Sequence, residues 1–218
     1  LFKIIEEVLL MYSPKHFQEH DEDNLIELIA QYPFASLITY AGSDIKVDHL
    51  PFYLEKKDNK KTLFSHIAKA NPLWKSLKNG SEALIIFSGP NCYISPNYYP
   101  TKQENGRVVP TWNYVAVHVK GSIRFIHEDK SKLSLVSNLT NLHEAEQKAP
   151  WSVNDAPSSY IDKMLSAIVG IEIEVTSMLG KRKVSQNQSE SNQQGVIKGL
   201  LSETDPHSHK MAELVKTN

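Results

Sequence analysis

Gly170-Ile171-Glu172-Ile173-Glu174-Val175-Thr176-Ser177-Met178 puts Ile171, Ile173 and Val175 on one side of an extended chain and Glu172, Glu174 and Thr176 on the other. A period of two marks a half-exposed β-strand. Outward from it, runs rich in β-branched and aromatic residues predict further strands at Phe34–Tyr40, Ile45–Leu54, Thr62–Ile67, Ala83–Phe87, Asn91–Ser95 and Tyr114–Ile126. Ala41-Gly42-Ser43-Asp44 and Lys57-Asp58-Asn59-Lys60 carry hairpin chemistry between the first three. Helical patterning is confined to a few places. One run opens after Asp21, with Asn24 and Glu27 spaced as a capping box, and ends at Pro33. Others cover Pro72–Lys78, Lys130–Gln147 and Ser158–Ile168, and a polar tail from Lys181 holds a helix near Gln193–Leu201. Many short strands with few, asymmetrically placed helices predict a mainly β (α+β) chain built as an antiparallel barrel. The β–helix rhythm and glycine fingerprint of a doubly wound nucleotide-binding sheet are missing.

Composition narrows the function. The chain has 218 residues, 40% hydrophobic and 22% charged, which excludes wholesale disorder. Its longest compact apolar run, Ala83–Phe87, is far short of the roughly 18 residues of a membrane helix. Cys92 is the one cysteine, so an intramolecular disulfide and a cysteine zinc site are excluded, and a reducing cytoplasm is expected. With 24 Lys+Arg against 25 Asp+Glu, the net charge of −1 exerts no global pull on nucleic acid. Met11-Tyr12-Ser13-Pro14 reads as a natural start, which leaves residues 1–10 as an N-terminal extension or a start-site artefact before a single domain over 11–218.

Three stretches can carry chemistry. Phe64-Ser65-His66-Ile67-Ala68-Lys69-Ala70-Asn71-Pro72 runs from a strand through a small-residue turn into a helix start. Its backbone N–H groups, with Ser65 and Lys69, suit a phosphate. The same residues also fit a plain turn capped by Ser65 and Asn71, with Lys69 solvated. Thr111-Trp112-Asn113-Tyr114 offers a ring face beside an amide, which suits a flat heterocycle; a core aromatic is the competing reading, and for Tyr114 the expected one. Lys181-Arg182-Lys183-Val184-Ser185-Gln186-Asn187 sets three cations against an amide-rich turn, either a solvated surface or an anion site. Between strands, Pro96–Pro110 with its polar Lys102–Arg107 centre is long enough to be functional or mobile. No metal-ligand spacing, nucleophile elbow or P-loop is present.

Taken in order, several motifs resemble the PaiB family of FMN-binding negative transcriptional regulators. They are Met11-Tyr12-x-Pro14-x-His16-Phe17, His49-Leu50-Pro51-Phe52, Ser65–Pro72, Phe87-x-Gly89-Pro90, Tyr93-Ile94-Ser95-Pro96, Val109–Tyr114 with Ala116-Val117-His118, and Lys183–Asn187. The resemblance implies the split β-barrel of pyridoxamine-phosphate-oxidase-like flavoproteins and a homodimer with FMN near the subunit interface. It implies that Ser65, His66, Ile67, Ala68, Lys69 and Asn71 hold the phosphate and ribityl chain, that Thr111, Trp112 and Asn113 flank the flavin, and that Lys183, Ser185 and Gln186 close the site. The chain departs from the pattern at Ser65, where many members carry Gly. It departs again at Gln188 and Asn192, neutral where the family has a basic residue and an Asp. Three functions follow: a repressor whose dimer presents a basic DNA surface including Lys181-Arg182-Lys183, an FMN-dependent oxidoreductase acting on a small-molecule substrate, or a haem-binding relative using His66 or His118.

Overall fold

The computed structural model describes residues 11–42 and 44–217; the stretch 1–10, Ser43 and Asn218 lie outside it. The strands are β1 (Gln18–Glu19), β2 (Phe34–Ala41), β3 (Asp44–Pro51), β4 (Tyr53–Lys57), β5 (Lys60–Ala68), β6 (Ser81–Ile94), β7 (Thr111–Ile126) and β8 (Ile168–Lys183). The helices are α1 (Glu22–Gln31), α2 (Leu73–Ser76), α3 (Thr101–Asn105), α4 (Asp129–Glu144), α5 (Ser158–Ser166), α6 (Glu190–Leu201) and α7 (Pro206–Lys216). The strands form one antiparallel sheet in the order β3-β2-β6-β7-β8-β5-β4, with β1 paired to β8. Strand β8 holds the alternating stretch: Ile171 sits opposite Ser65 and Ile173 opposite Leu63. Both isoleucines are fully buried while Glu174 stays exposed, as the period of two requires.

Several boundaries differ from the sequence expectation. Ile45–Leu54 is two strands, because Phe52 leaves the ladder: its ring enters the core and its N–H donates to the Pro33 carbonyl at 2.9 Å. The two strands expected at Ala83–Phe87 and Asn91–Ser95 are one, since Ser88-Gly89-Pro90 does not break β6. Helix α1 is capped by Asp21 rather than Asn24; Asp21 Oδ1 accepts the N–H groups of Asp23 at 2.9 Å and Asn24 at 3.1 Å. The expected tail begins as the end of β8 and continues into α6 and α7. Inside Pro96–Pro110 lies the short helix α3, which Gly106 closes with φ 67°.

The chain forms two compact units. One comprises residues 29–87 and 119–178. Its core takes the inward positions of the strands, among them Leu37, Leu63, Ile85, Ile123, Ile171 and Ile173. Helix α4 packs Leu135 and Leu139 against Tyr53, Phe64 and Ile126. Its Lys132 is buried yet satisfied: Nζ donates to the Leu165 carbonyl at 2.6 Å and pairs with Asp129 at 2.8 Å, which pins the last turn of α5.

The other unit comprises residues 11–28, 88–118 and 179–217. Its core joins Ile94, Tyr99, Val115 and Val184 to Val196, Leu200 and Met211 of α6 and α7. Helix α6 meets the 3₁₀ turn Pro96–Tyr98 at two glycines. A Cβ on Gly195 would stand 2.0 Å from the Tyr98 carbonyl oxygen, and one on Gly199 2.3 Å from Tyr98 Cδ1. Gly195→Ala would gain about 1 kcal/mol of helix propensity. It would also force a backbone oxygen aside, at a cost of roughly 1–3 kcal/mol or more. The clash dominates, so urea unfolding of Gly195→Ala shows a lowered midpoint.

Candidate functional site

The start of β7 and the end of β8 lie side by side and build a cleft of about 240 Å³ whose lining includes Arg107, Thr111, Asn113, Lys183, Ser185 and Gln188. Strand alternation turns Asn113 inward in line with Val115 and Val117, so its amide is 1% exposed. Asn113 Nδ2 donates to Ser185 Oγ at 2.8 Å, while Asn113 Oδ1 is buried without a hydrogen-bond partner among the described residues. Ser185 is itself 3% exposed and holds φ at 66°, a left-handed conformation a serine rarely adopts. Such strain costs on the order of 1–3 kcal/mol and clusters at functional sites. It is held by the bond to Asn113 and by Gln186. The Gln186 Oε1 accepts the Val184 N–H at 2.7 Å, and its Nε2 donates to the Arg182 carbonyl. Gln186 therefore clips the turn from behind, its amide already engaged.

The three cations are not a solvated patch. Lys181 is 7% exposed; its Nζ donates to the Tyr12 carbonyl at 2.8 Å and lies 5.2 Å from the Tyr114 ring. Arg182 donates to the Leu214 carbonyl at 3.3 Å and to Thr217 Oγ1 at 3.0 Å. Lys183 donates to Thr111 Oγ1 and, at 2.7 Å, to the Trp112 carbonyl. Burial, then the neighbouring Lys181 ammonium, push the Lys183 amine below the usual lysine range. Trp112 is exposed, with its ring edge-on to Tyr93 at 6.2 Å, and Tyr114 is half-buried rather than the core aromatic expected for it.

Gln188 and Asn192, the neutral pair, serve each other. Asn192 Nδ2 donates to Gln188 Oε1 at 3.2 Å, and Asn192 Oδ1 accepts from Thr101 Oγ1 at 3.0 Å. This relay ties α3 to the start of α6 beside the cleft wall. Arg107 is the lining residue that sequence reasoning did not single out; its one signal was its place in the polar centre of the long loop.

The Ser65–Asn71 segment belongs to the other unit and is built differently from a phosphate cradle. The Ser65 hydroxyl is fully buried and donates to the Pro51 carbonyl at 2.7 Å. Ile67 is in the core and Ala68 is at the surface. The Lys69 and Asn71 N–H groups are engaged by the carbonyls of Ala167 at 2.7 Å and Ala68 at 2.9 Å. Asn71 caps the Leu73 N–H at 2.9 Å and donates to Asp48 at 2.6 Å. The side chain left facing solvent with a charge is Lys69. His66 is half-buried, its Nδ1 unpartnered among the described residues, and burial lowers its pKa from the ordinary 6.5.

The cleft is lined by groups that can meet the edge of FMN. The pyrimidine edge of an isoalloxazine ring presents carbonyl, N–H and carbonyl in sequence. The lining residues supply an unpartnered amide acceptor, an ammonium and hydroxyls, the groups that such an edge needs. The residues present fit the group. No cluster of His, Cys, Asp and Glu able to hold a metal occurs among the described residues, and no helix among them is long and apolar enough to cross a membrane.

Residues 11–177 match the family model described as "Putative FMN-binding domain". The chain belongs to this FMN-binding family. It is 31% identical over 206 residues to the protease synthase and sporulation protein PAI 2 of Bacillus subtilis, which spans 94% of this chain and 97% of that one. It is 33% identical over 212 residues to the uncharacterized protein AN0679 of Emericella nidulans, covering 81% of this chain and 84% of that one. Among solved structures, an FAD and heme binding protein from Mycobacterium smegmatis superposes with a TM-score of 0.57 at 14% identity, covering 76% of this chain and 73% of that one. The flavocytochrome Anf3 from Azotobacter vinelandii superposes with a TM-score of 0.53 at 12% identity, covering 76% and 69%. At these identities the likeness is one of fold, and the fold is the expected split β-barrel. The cofactor of the family is FMN.

His66 yields a pH prediction. Its folded pKa lies below its unfolded value, so between the two the unfolded state holds more protons and stability rises with pH. The contribution is complete above about 6.5 and is lost as pH falls below it. Thermal unfolding between pH 7.5 and 5 shows a steeper loss for the native chain than for His66→Gln, which keeps a polar side chain and removes the titration.

Proposed function

We propose that the cleft takes the pyrimidine edge of FMN and that the chain is an FMN-dependent oxidoreductase acting on a small molecule. The observation that carries the reading is the buried, unpartnered Oδ1 of Asn113 in a cleft that Lys183 also lines. FMN, when bound, supplies hydride or electron transfer. The residues of the chain bind and orient it: Asn113 Oδ1 accepts, Lys183 donates, and Ser185 and Thr111 hold those two side chains in place through the bonds already described. Trp112 offers an exposed ring at the same strand start. Removing the ammonium in Lys183→Met loses a hydrogen bond to a charged donor, typically about 1.5–3 kcal/mol, or roughly 10–100-fold in FMN affinity. Flavin fluorescence titration reads that loss, while far-ultraviolet circular dichroism stays that of the native fold. An unchanged affinity contradicts the assignment.

The resemblance to PaiB supports a second reading, negative transcriptional regulation. Against it stands the fate of Lys181, Arg182 and Lys183, which are tied to the chain's own carbonyls and hydroxyls, with one N–H of the Lys183 ammonium left for the cleft. A near-neutral chain has to supply DNA affinity from free local cations. A homodimer is proposed as well. The paired β2–β3 ribbon leaves Phe34, Tyr40, Ile45 and Val47 exposed, and a second copy would cover that apolar surface. The functional readings divide on one experiment. FMN-loaded protein is mixed with NAD(P)H, and the same preparation is tested for DNA retardation over a salt series. Rapid flavin reduction without retardation is expected; sequence-selective, salt-sensitive retardation without reduction would replace the oxidoreductase by the regulator.

A further inference from the structure

The residues lining the cleft include two cations, Arg107 and Lys183, and no carboxylate. Lys183 is committed to Thr111 and Trp112. Arg107 is different: its exposed guanidinium has no hydrogen-bond or ion-pair partner among the described residues. Its backbone, in contrast, is held by its neighbours. Gly106 turns the chain with φ 67°, Asn105 Oδ1 accepts the Arg107 N–H at 2.9 Å, and the Val108 N–H donates to the Gly106 carbonyl at 3.0 Å. A turn held in this way presents the cation without backbone rearrangement.

The surroundings define what it would bind. Val108 and Val109 follow Arg107 along the lining, Val109 being 74% exposed, and the buried ring of Tyr99 completes that wall. A planar guanidinium beside aliphatic and aromatic surface suits a carboxylate attached to an apolar body. The flavin edge is neutral at its carbonyl and N–H groups and leaves the charge of Arg107 unmatched.

We infer that the cleft mouth recognises the carboxylate of a small, largely apolar organic acid, with Arg107 as the residue that binds it and so selects the substrate. The inference rests on the reading of the cleft as the site of the flavin edge. Its test uses FMN-loaded protein, native and Arg107→Gln, titrated with benzoate, acetate and inorganic phosphate. Binding is followed by calorimetry and by perturbation of the flavin absorbance. FMN and riboflavin affinities are measured in parallel.

Benzoate binds saturably and more tightly than acetate or phosphate. Arg107→Gln weakens it by roughly 10-fold or more, the loss of one charge-assisted contact, while FMN and riboflavin affinities stay within about twofold of native. Three results would overturn the inference: no saturable benzoate response in the native chain, phosphate binding more tightly than benzoate, or Arg107→Gln weakening FMN but not riboflavin. The last would assign Arg107 to the flavin's own phosphate. If Lys183→Met leaves FMN binding intact, the flavin-edge reading fails instead, and calorimetry of benzoate with the native and Arg107→Gln chains still decides the role of Arg107.

Discussion

The hydrogen bond from Asn113 to Ser185 joins the first inward residue of β7 to the turn that ends β8, and the candidate site depends on it. It is 2.8 Å long and wholly buried. One bond of this kind contributes about 1 kcal/mol net, but leaving either group unpaired would cost about 1–3 kcal/mol. That asymmetry helps hold Ser185 in a left-handed conformation that it would otherwise leave. The bond also uses only the donor half of the Asn113 amide. The acceptor half is left buried and unpaired in a residue that lines the cleft, where a ligand N–H or O–H can complete it.

Charge at this site is a matter of placement rather than amount. Three consecutive cations suggest a surface for polyanions, yet β8 continues through them and alternation sends their side chains to different tasks. Lys181 and Lys183 share one side of the strand, and the Lys181 ammonium adds to the burial that disfavours the charge of Lys183; Arg182, on the other side, reaches the last turn of α7. With those three accounted for, the unmatched cation of the cleft is Arg107, delivered by a glycine-closed turn. A chain of net charge −1 thus concentrates positive potential in one small cleft. That suits an acceptor-rich heterocycle and a carboxylate better than a DNA backbone.

The strand content and the antiparallel class were legible because Ile171, Ile173 and their neighbours alternate with a period that only a half-buried strand requires. The limits of β6 and β8 were not, since Ser88-Gly89-Pro90 and Lys181-Arg182-Lys183 resemble breaks locally and are overridden by pairing across the sheet. At the site, Asn113 and Lys183 were legible as an amide and a cation in motif-rich stretches. The role of Ser65 was not: burial points its hydroxyl at Pro51, and no local pattern reveals which way a strand serine faces. Arg107 escaped for the opposite reason. Nothing in Lys102–Arg107 distinguishes a solvated loop cation from one fixed over a cleft until the Gly106 turn is seen in three dimensions.

A crystal structure of the FMN complex shows directly whether the buried amide acceptor meets the flavin ring. The flavin N3 is expected within hydrogen-bonding distance of Asn113 Oδ1, roughly 2.7–3.2 Å, with Lys183 Nζ at the adjacent ring carbonyl. A flavin whose pyrimidine edge lies outside the Asn113–Lys183 cleft, with Asn113 Oδ1 still unpaired, would contradict it.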